Sequence, residues 1–118
     1  MDVKLAVEAY KDAEHLKNSL IMASQLLASV PSYPEAERPG AARLLGTVLE
    51  VLRGDARRAE GVTSDQSFRR AADELSSAIS LVESRSFEQA GERVGMAISQ
   101  VTTPAQQAWE TLSAYGFA

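Results

Sequence analysis

The chain has 118 residues, 45% of them hydrophobic and 24% charged, a balance that suits one folded domain spanning 1–118 and excludes a disordered or collagen-like chain. The formal net charge of -4 sets the molecule as a whole against phosphate backbones, so nucleic acid is not an expected partner unless a local basic patch supplies the contact. The absence of cysteine removes disulfides, thiolate metal sites and thiol nucleophiles together.

Residues 3–30 place Ala6, Ala9, Ala13, Leu16, Leu20, Ala23, Leu27 and Val30 at alternating intervals of three and four, the spacing of one helical stripe. Asp2 suits the N-cap, and Pro31-Ser32-Tyr33-Pro34 stops the helix. A longer connection is expected over 31–40, which holds Pro31, Pro34, Pro39 and Gly40. The second stripe is Ala42, Leu45, Leu49, Leu52, Ala56 and Ala59, flanked by Ala41, Leu44 and Val48, with Gly61 as the expected closing residue.

Thr63, with Gln66 three residues on, reads as a capping box that opens a third helix with the stripe Phe68, Ala71, Leu75, Ala78 and Val82. Ser86 and Gln89 repeat that pattern ahead of Phe87, Ala90, Val94, Ala97 and Val101. This fourth stripe continues through Ala105, Ala108, Leu112 and Tyr115, so the helix is expected to be kinked or broken at Pro104, a kink fitting the continuous period better. Short connections at 61–63 and 84–86 make neighbours antiparallel, and the fold expected is an all-α, up-down-up-down antiparallel four-helix bundle. The alanine-rich stripes, with Gly91 and Gly95 on the fourth helix, predict close crossings and little interior space.

That interior carries no chemistry. Di-iron bundles need inward glutamates and a Glu-x-x-His spacing, whereas the stripes here hold no Asp, Glu or His. Glu14 and His15 are adjacent and point about 100° apart on a helix, so they cannot share one metal ion. Haem would want axial ligands such as Met and His converging from two helices; Met22 and Met96 are present, but the only histidine is His15, on the same helix as Met22. No glycine-rich phosphate loop and no assembled nucleophile is present, so neither an enzyme nor a cofactor or metal site is expected. With no apolar run near the ~18 residues of a membrane span and no basic-then-apolar start, a cytoplasmic address and no membrane association are expected.

Three features point outward. His15 lies off the stripe, and Glu14-His15-Leu16-Lys17-Asn18-Ser19-Leu20 resembles the phosphoacceptor helix of histidine phosphotransfer proteins, with Lys17 two residues after the histidine where that family places a basic residue three after. The resemblance implies His15 as phosphoacceptor. Leu81 to Arg93, with Ser86, Phe87, Gln89-Ala90 and Glu92-Arg93, resembles the helical hairpins of HEPN-type bundles and of tetratricopeptide-like repeats. HEPN ribonucleases carry an Arg followed within a few residues by His, which is missing here, so their nuclease activity is not implied.

The third feature follows from topology. One bundle end would gather Tyr10, Phe68, Trp109, Tyr115 and Phe117 together with Arg53, Arg57, Arg58, Arg69 and Arg70, the residue types of binding hot spots and of single-strand nucleic-acid platforms. Arg53, Arg57, Arg58, Arg69, Arg70, Trp109 and Tyr115 are therefore candidate partner-binding residues. Near the other end, Ile21, Met22 and Leu26 lie beyond the single stripe a bundle can bury. Either the proline-rich segment with Tyr33 folds over Ile21 and Met22 or a second subunit does, and Ile21, Met22 and Leu26 are the candidate dimer face. The function expected is a non-enzymatic module that binds another protein, an adaptor, small subunit or chaperone-like chain, and a homodimer is expected. Its alternatives are a His15 phosphotransfer protein and a nucleotide- or RNA-binding HEPN-like bundle using the arginine-rich end.

Overall fold

A computed structural model describes residues 2–116, and Phe117 lies outside them. Four α-helices follow one another as α1 (Val3–Ser29), α2 (Arg38–Thr63), α3 (Gln66–Glu83) and α4 (Phe87–Ala114), with no strand among the described residues. Each helix packs on its two neighbours in the ring α1–α2–α3–α4–α1, giving the up-down-up-down bundle, 53 × 23 × 17 Å in extent. The α1–α4 pair is in the most extensive contact and the α1–α2 pair the least.

The stripes are the core. Every stripe residue named for the first and second helices is buried, as are Phe68, Ala71, Leu75, Ala78 and Val82 of α3. On α4 the buried run is Ala90, Val94, Ala97, Val101, Ala105, Ala108 and Leu112, while Phe87 is partly buried and Tyr115 is exposed. α3 buries a wider face than its stripe, adding Ser67, Ala72 and Ile79. No buried side-chain polar atom among the described residues lacks a hydrogen-bond partner, as a core of hydrocarbon side chains allows.

The helix ends depart from expectation at three places. Gly61 does not close α2, which runs on to Thr63. The closing role falls to Ser64, held left-handed at φ 59°, whose N–H donates to the Glu60 carbonyl at 2.7 Å. Thr63 is accordingly not the cap of α3. Its hydroxyl donates back to the Ala59 carbonyl at 2.8 Å, and Asp65 takes the N-cap, its carboxylate accepting from the Ser67 N–H at 2.8 Å. A carboxylate at a helix N-terminus also meets the positive end of the dipole, which favours Asp65 over a threonine.

Ser86 is the N-cap of α4 as expected, but its hydroxyl meets the Ser84 hydroxyl at 3.2 Å instead of capping the helix. Its backbone N–H donates to Leu81 and that of Arg85 to Val82, a Schellman closure of α3 with Arg85 left-handed at φ 64°. At the start of α1, Asp2 caps as expected, accepting from the Leu5 N–H at 2.8 Å.

The connection between α1 and α2 is shorter than the proline content suggests. Two 3₁₀ turns, Val30–Ser32 and Glu35–Glu37, fill it, and Pro39 sits in the first turn of α2, where its missing N–H costs nothing. Arg38 fastens the segment by donating to the carbonyls of Tyr33 and Pro31, both at 3.1 Å. Pro104 is buried inside α4, and the helix continues through it unbroken. The glycines of α4 do not mark a close crossing. A Cβ built on Gly91 or Gly95 meets nothing within 4 Å, because both lie on the flank of α4, outside the buried stripe.

Candidate interaction surface

The candidate residues are distributed around the bundle by the 100° advance per residue of a helix. Arg53 is partly buried and donates to the Ser76 hydroxyl at 3.2 Å, so it bridges α2 to α3. Arg58 faces α1. It pairs with Asp55 at 2.8 Å, and the Asp55 carboxylate also lies 3.9 Å from His15 Nε2. Arg57, Arg69 and Arg70 are exposed and make no ion pair among the described residues. Trp109 sits on the α1–α4 side, 48% exposed, its ring tilted 37° against Tyr10 at 5.9 Å between centroids. Phe68 is buried in the core and offers nothing to a partner, while Tyr115 is exposed. The arginine and aromatic residues therefore face several sides of the bundle end.

His15 is exposed, as an off-stripe position requires, and its side chain lies against α2 through Asp55. A carboxylate at that distance repels a phosphoryl group brought to the same nitrogen. Lys17 pairs with Glu14 on the other flank, at 2.9 Å. Beside His15, Asp12 completes a polar stretch of the α1–α2 seam. Burial pushes its carboxyl above the ordinary 3.8, and Glu8 adds to the rise, while Arg58, Lys11 and His15 pull the other way. Among the described residues, no group of three or more His, Asp or Glu side chains is arranged to hold a metal ion.

Further along the same seam the surface turns apolar. Leu26, Tyr33, Ala41, Leu44 and Val48 line a cleft of about 140 Å³ between α1 and α2, floored by Val30 and Leu45. Leu44 is 67% exposed, Met22 62% and Val51 59%, against the small exposures of the core stripe directly behind them. Ile21 does not belong to this face. Five residues separate it from Leu26, about 140° around α1, which puts it on the flank toward α4, whereas Met22 is only about 40° from Leu26.

Sequence reasoning found Met22 and Leu26 but missed Leu44 and Val51 as surface residues. They are seven apart, two helical turns, and form a second apolar stripe on α2 beside the buried one. That stripe was the available signal. Tyr33 lines the cleft but does not cover Met22 or Leu44. No helix among the described residues is long and apolar enough to cross a membrane. Comparison with family models, with curated proteins and with solved structures gave no match.

Proposed function

We propose that this chain is a non-catalytic helical-bundle module that works by binding another protein, through the apolar α1–α2 seam. The observation that carries the reading is the cluster of Met22, Leu26, Leu44 and Val51, all more than 40% exposed, around an apolar cleft. Scaled by their exposures, these four with Tyr33 present on the order of 500 Å² of side chain, within the range of the largest patch on a typical monomer and often a functional one. An unbranched methionine and leucines around a small cleft are also the side chains that adapt to a partner's surface at low cost. Among the described residues the interior buries a single polar side chain, Ser67, so the surface is where a function would act.

Affinity capture tests this. The tagged chain is expected to retain a specific protein from cell extract, and Leu44→Glu to release it while leaving the helical circular dichroism unchanged. Capture that survives Leu44→Glu and Met22→Glu together would reject the seam as the binding surface.

A second reading rests on a different observation: Arg57, Arg69 and Arg70 are exposed and without ion pairs among the described residues. A nucleotide or single-stranded RNA could use such a cationic end. It predicts salt-sensitive binding that disappears in Arg57→Glu/Arg70→Glu, and binding indifferent to that pair of changes would reject it.

A further inference from the structure

We infer that the occupant of the α1–α2 seam is a second copy of this chain, closed face to face by a two-fold axis running across the helices. The inference rests on the reading of the seam as a protein-binding surface and adds the identity and register of the partner.

Three features of the seam fit its own image. The first is area. Two copies closing on the exposed patch would remove about 1,000 Å² from water, the lower bound for a specific interface. A dimer at that bound forms weakly, with dissociation expected at roughly 10–100 μM.

The second is shape. The contacts of Leu26 with the cleft beside Leu44 and Val48, and of His15 with Asp55, fix which levels of α1 and α2 lie side by side. At the level of residue 24 on α1 and of residues 47–48 on α2, the seam has a centre. Leu26 and Met22 stand two residues either side of it, and Leu44 and Val51 stand symmetrically on α2. A two-fold axis through that centre, lying in the interface, lays α1 antiparallel on the α1 of the second copy and α2 likewise. Each Leu44 then meets a Val51 and each Leu26 a Met22, twice over, as an isologous contact requires. The cleft, at about 140 Å³, is close to the ~150 Å³ of a cavity that accepts a benzene ring, so one large side chain such as Met22 can enter it.

The third is charge. Glu37 is exposed at the N-cap of α2, and Arg58, its side chain 71% exposed, lies at the opposite end of the seam. They are equidistant from the centre, so the same axis sets each Glu37 opposite an Arg58 of the other copy. A two-fold axis along the helices would instead lay each α1 on the other copy's α2, gather both Glu37 at one end and both Arg58 at the other, and leave neither pairing. The charged side chains on the seam between these ends are Asp55, His15 and Asp12, all beside Arg58.

Sedimentation velocity over 1 μM to 1 mM tests the arrangement. The full chain is expected to pass from monomer to dimer, Leu44→Glu to stay monomeric throughout, and Arg58→Glu and Glu37→Arg each to weaken the dimer by about tenfold. The double variant Glu37→Arg/Arg58→Glu is expected to regain the original affinity, since it restores both pairings in reverse. Circular dichroism of each variant verifies that the bundle is intact. A strict monomer at 1 mM overturns the inference, as does a dimer indifferent to Leu44→Glu, and single effects without recovery in the double variant overturn the antiparallel register. A strict monomer that keeps Leu44-dependent capture of a different protein rejects the second copy alone. A monomer without such capture rejects the seam as a binding surface as well.

Discussion

Ser64 and Arg85 both hold left-handed backbone without being glycine, at φ 59° and 64°, and both end a helix. The conformation crowds a Cβ against the following carbonyl, and a helix end accepts that strain because the turned backbone satisfies carbonyls otherwise left open. Replacement by glycine removes the strain, so Ser64→Gly and Arg85→Gly are each expected to stabilise the fold by about 1 kcal/mol, measured by urea unfolding. Asp12 makes a second, pH-dependent test. Its carboxyl titrates above the ordinary 3.8, so the native state holds this proton more tightly than the unfolded chain does. Stability is then greatest, on this account, below 3.8 and declines as pH rises through the native value. Asp12→Asn is therefore expected to stabilise the bundle at pH 7 and to make no difference near pH 3; destabilisation at pH 7 would contradict the sign.

At the scale of the element, periodicity and chain punctuation carry unequal information. The stripes located every helix because burial of one face is a cooperative property of many residues, insensitive to any one of them. The ends depend on single residues, and there Gly61 misled. Gly46, Gly54, Gly61, Gly91 and Gly95 all lie inside helices, with nothing within 4 Å of a built Cβ. None is required by packing, so each only adds backbone entropy to the unfolded chain. Gly54→Ala and Gly61→Ala are expected to raise stability by about 0.5–1 kcal/mol each, additively, by chemical denaturation. A loss instead would show that one of these glycines serves a partner or a bend. At the other end of α2, Arg38 anchors the preceding turns and Pro39 sits in the first helical turn, a local arrangement that a proline count does not convey.

For the whole molecule, the core is a single column of Leu, Val and Ala with Phe68 the largest fully buried side chain. Such a core has few large groups to lose. Phe68→Ala is expected to cost about 3–5 kcal/mol, a large share of the stability of a domain this size, measured by thermal unfolding. The exposed seam behaves oppositely: Leu44→Glu is expected to change monomer stability by less than about 0.5 kcal/mol while abolishing association. The two substitutions together separate what holds the bundle from what the bundle holds.

The four stripes, the all-α class and the antiparallel order were legible in the chain itself, because spacings of three and four with short connections admit few other arrangements. So were the outward positions of His15, Met22 and Leu26, which fall off a stripe by simple geometry. What required the folded molecule was which off-stripe residues become neighbours. Ile21 and Met22 are adjacent in sequence yet lie on different flanks, while Met22, Leu26, Leu44 and Val51 come from two helices and share one face. The arginines grouped at one end by topology are parted around it by the helical advance, one to Asp55 and one to Ser76. Periodicity fixes a residue's direction from its own helix axis. Only the packing of the helices decides what stands on the other side.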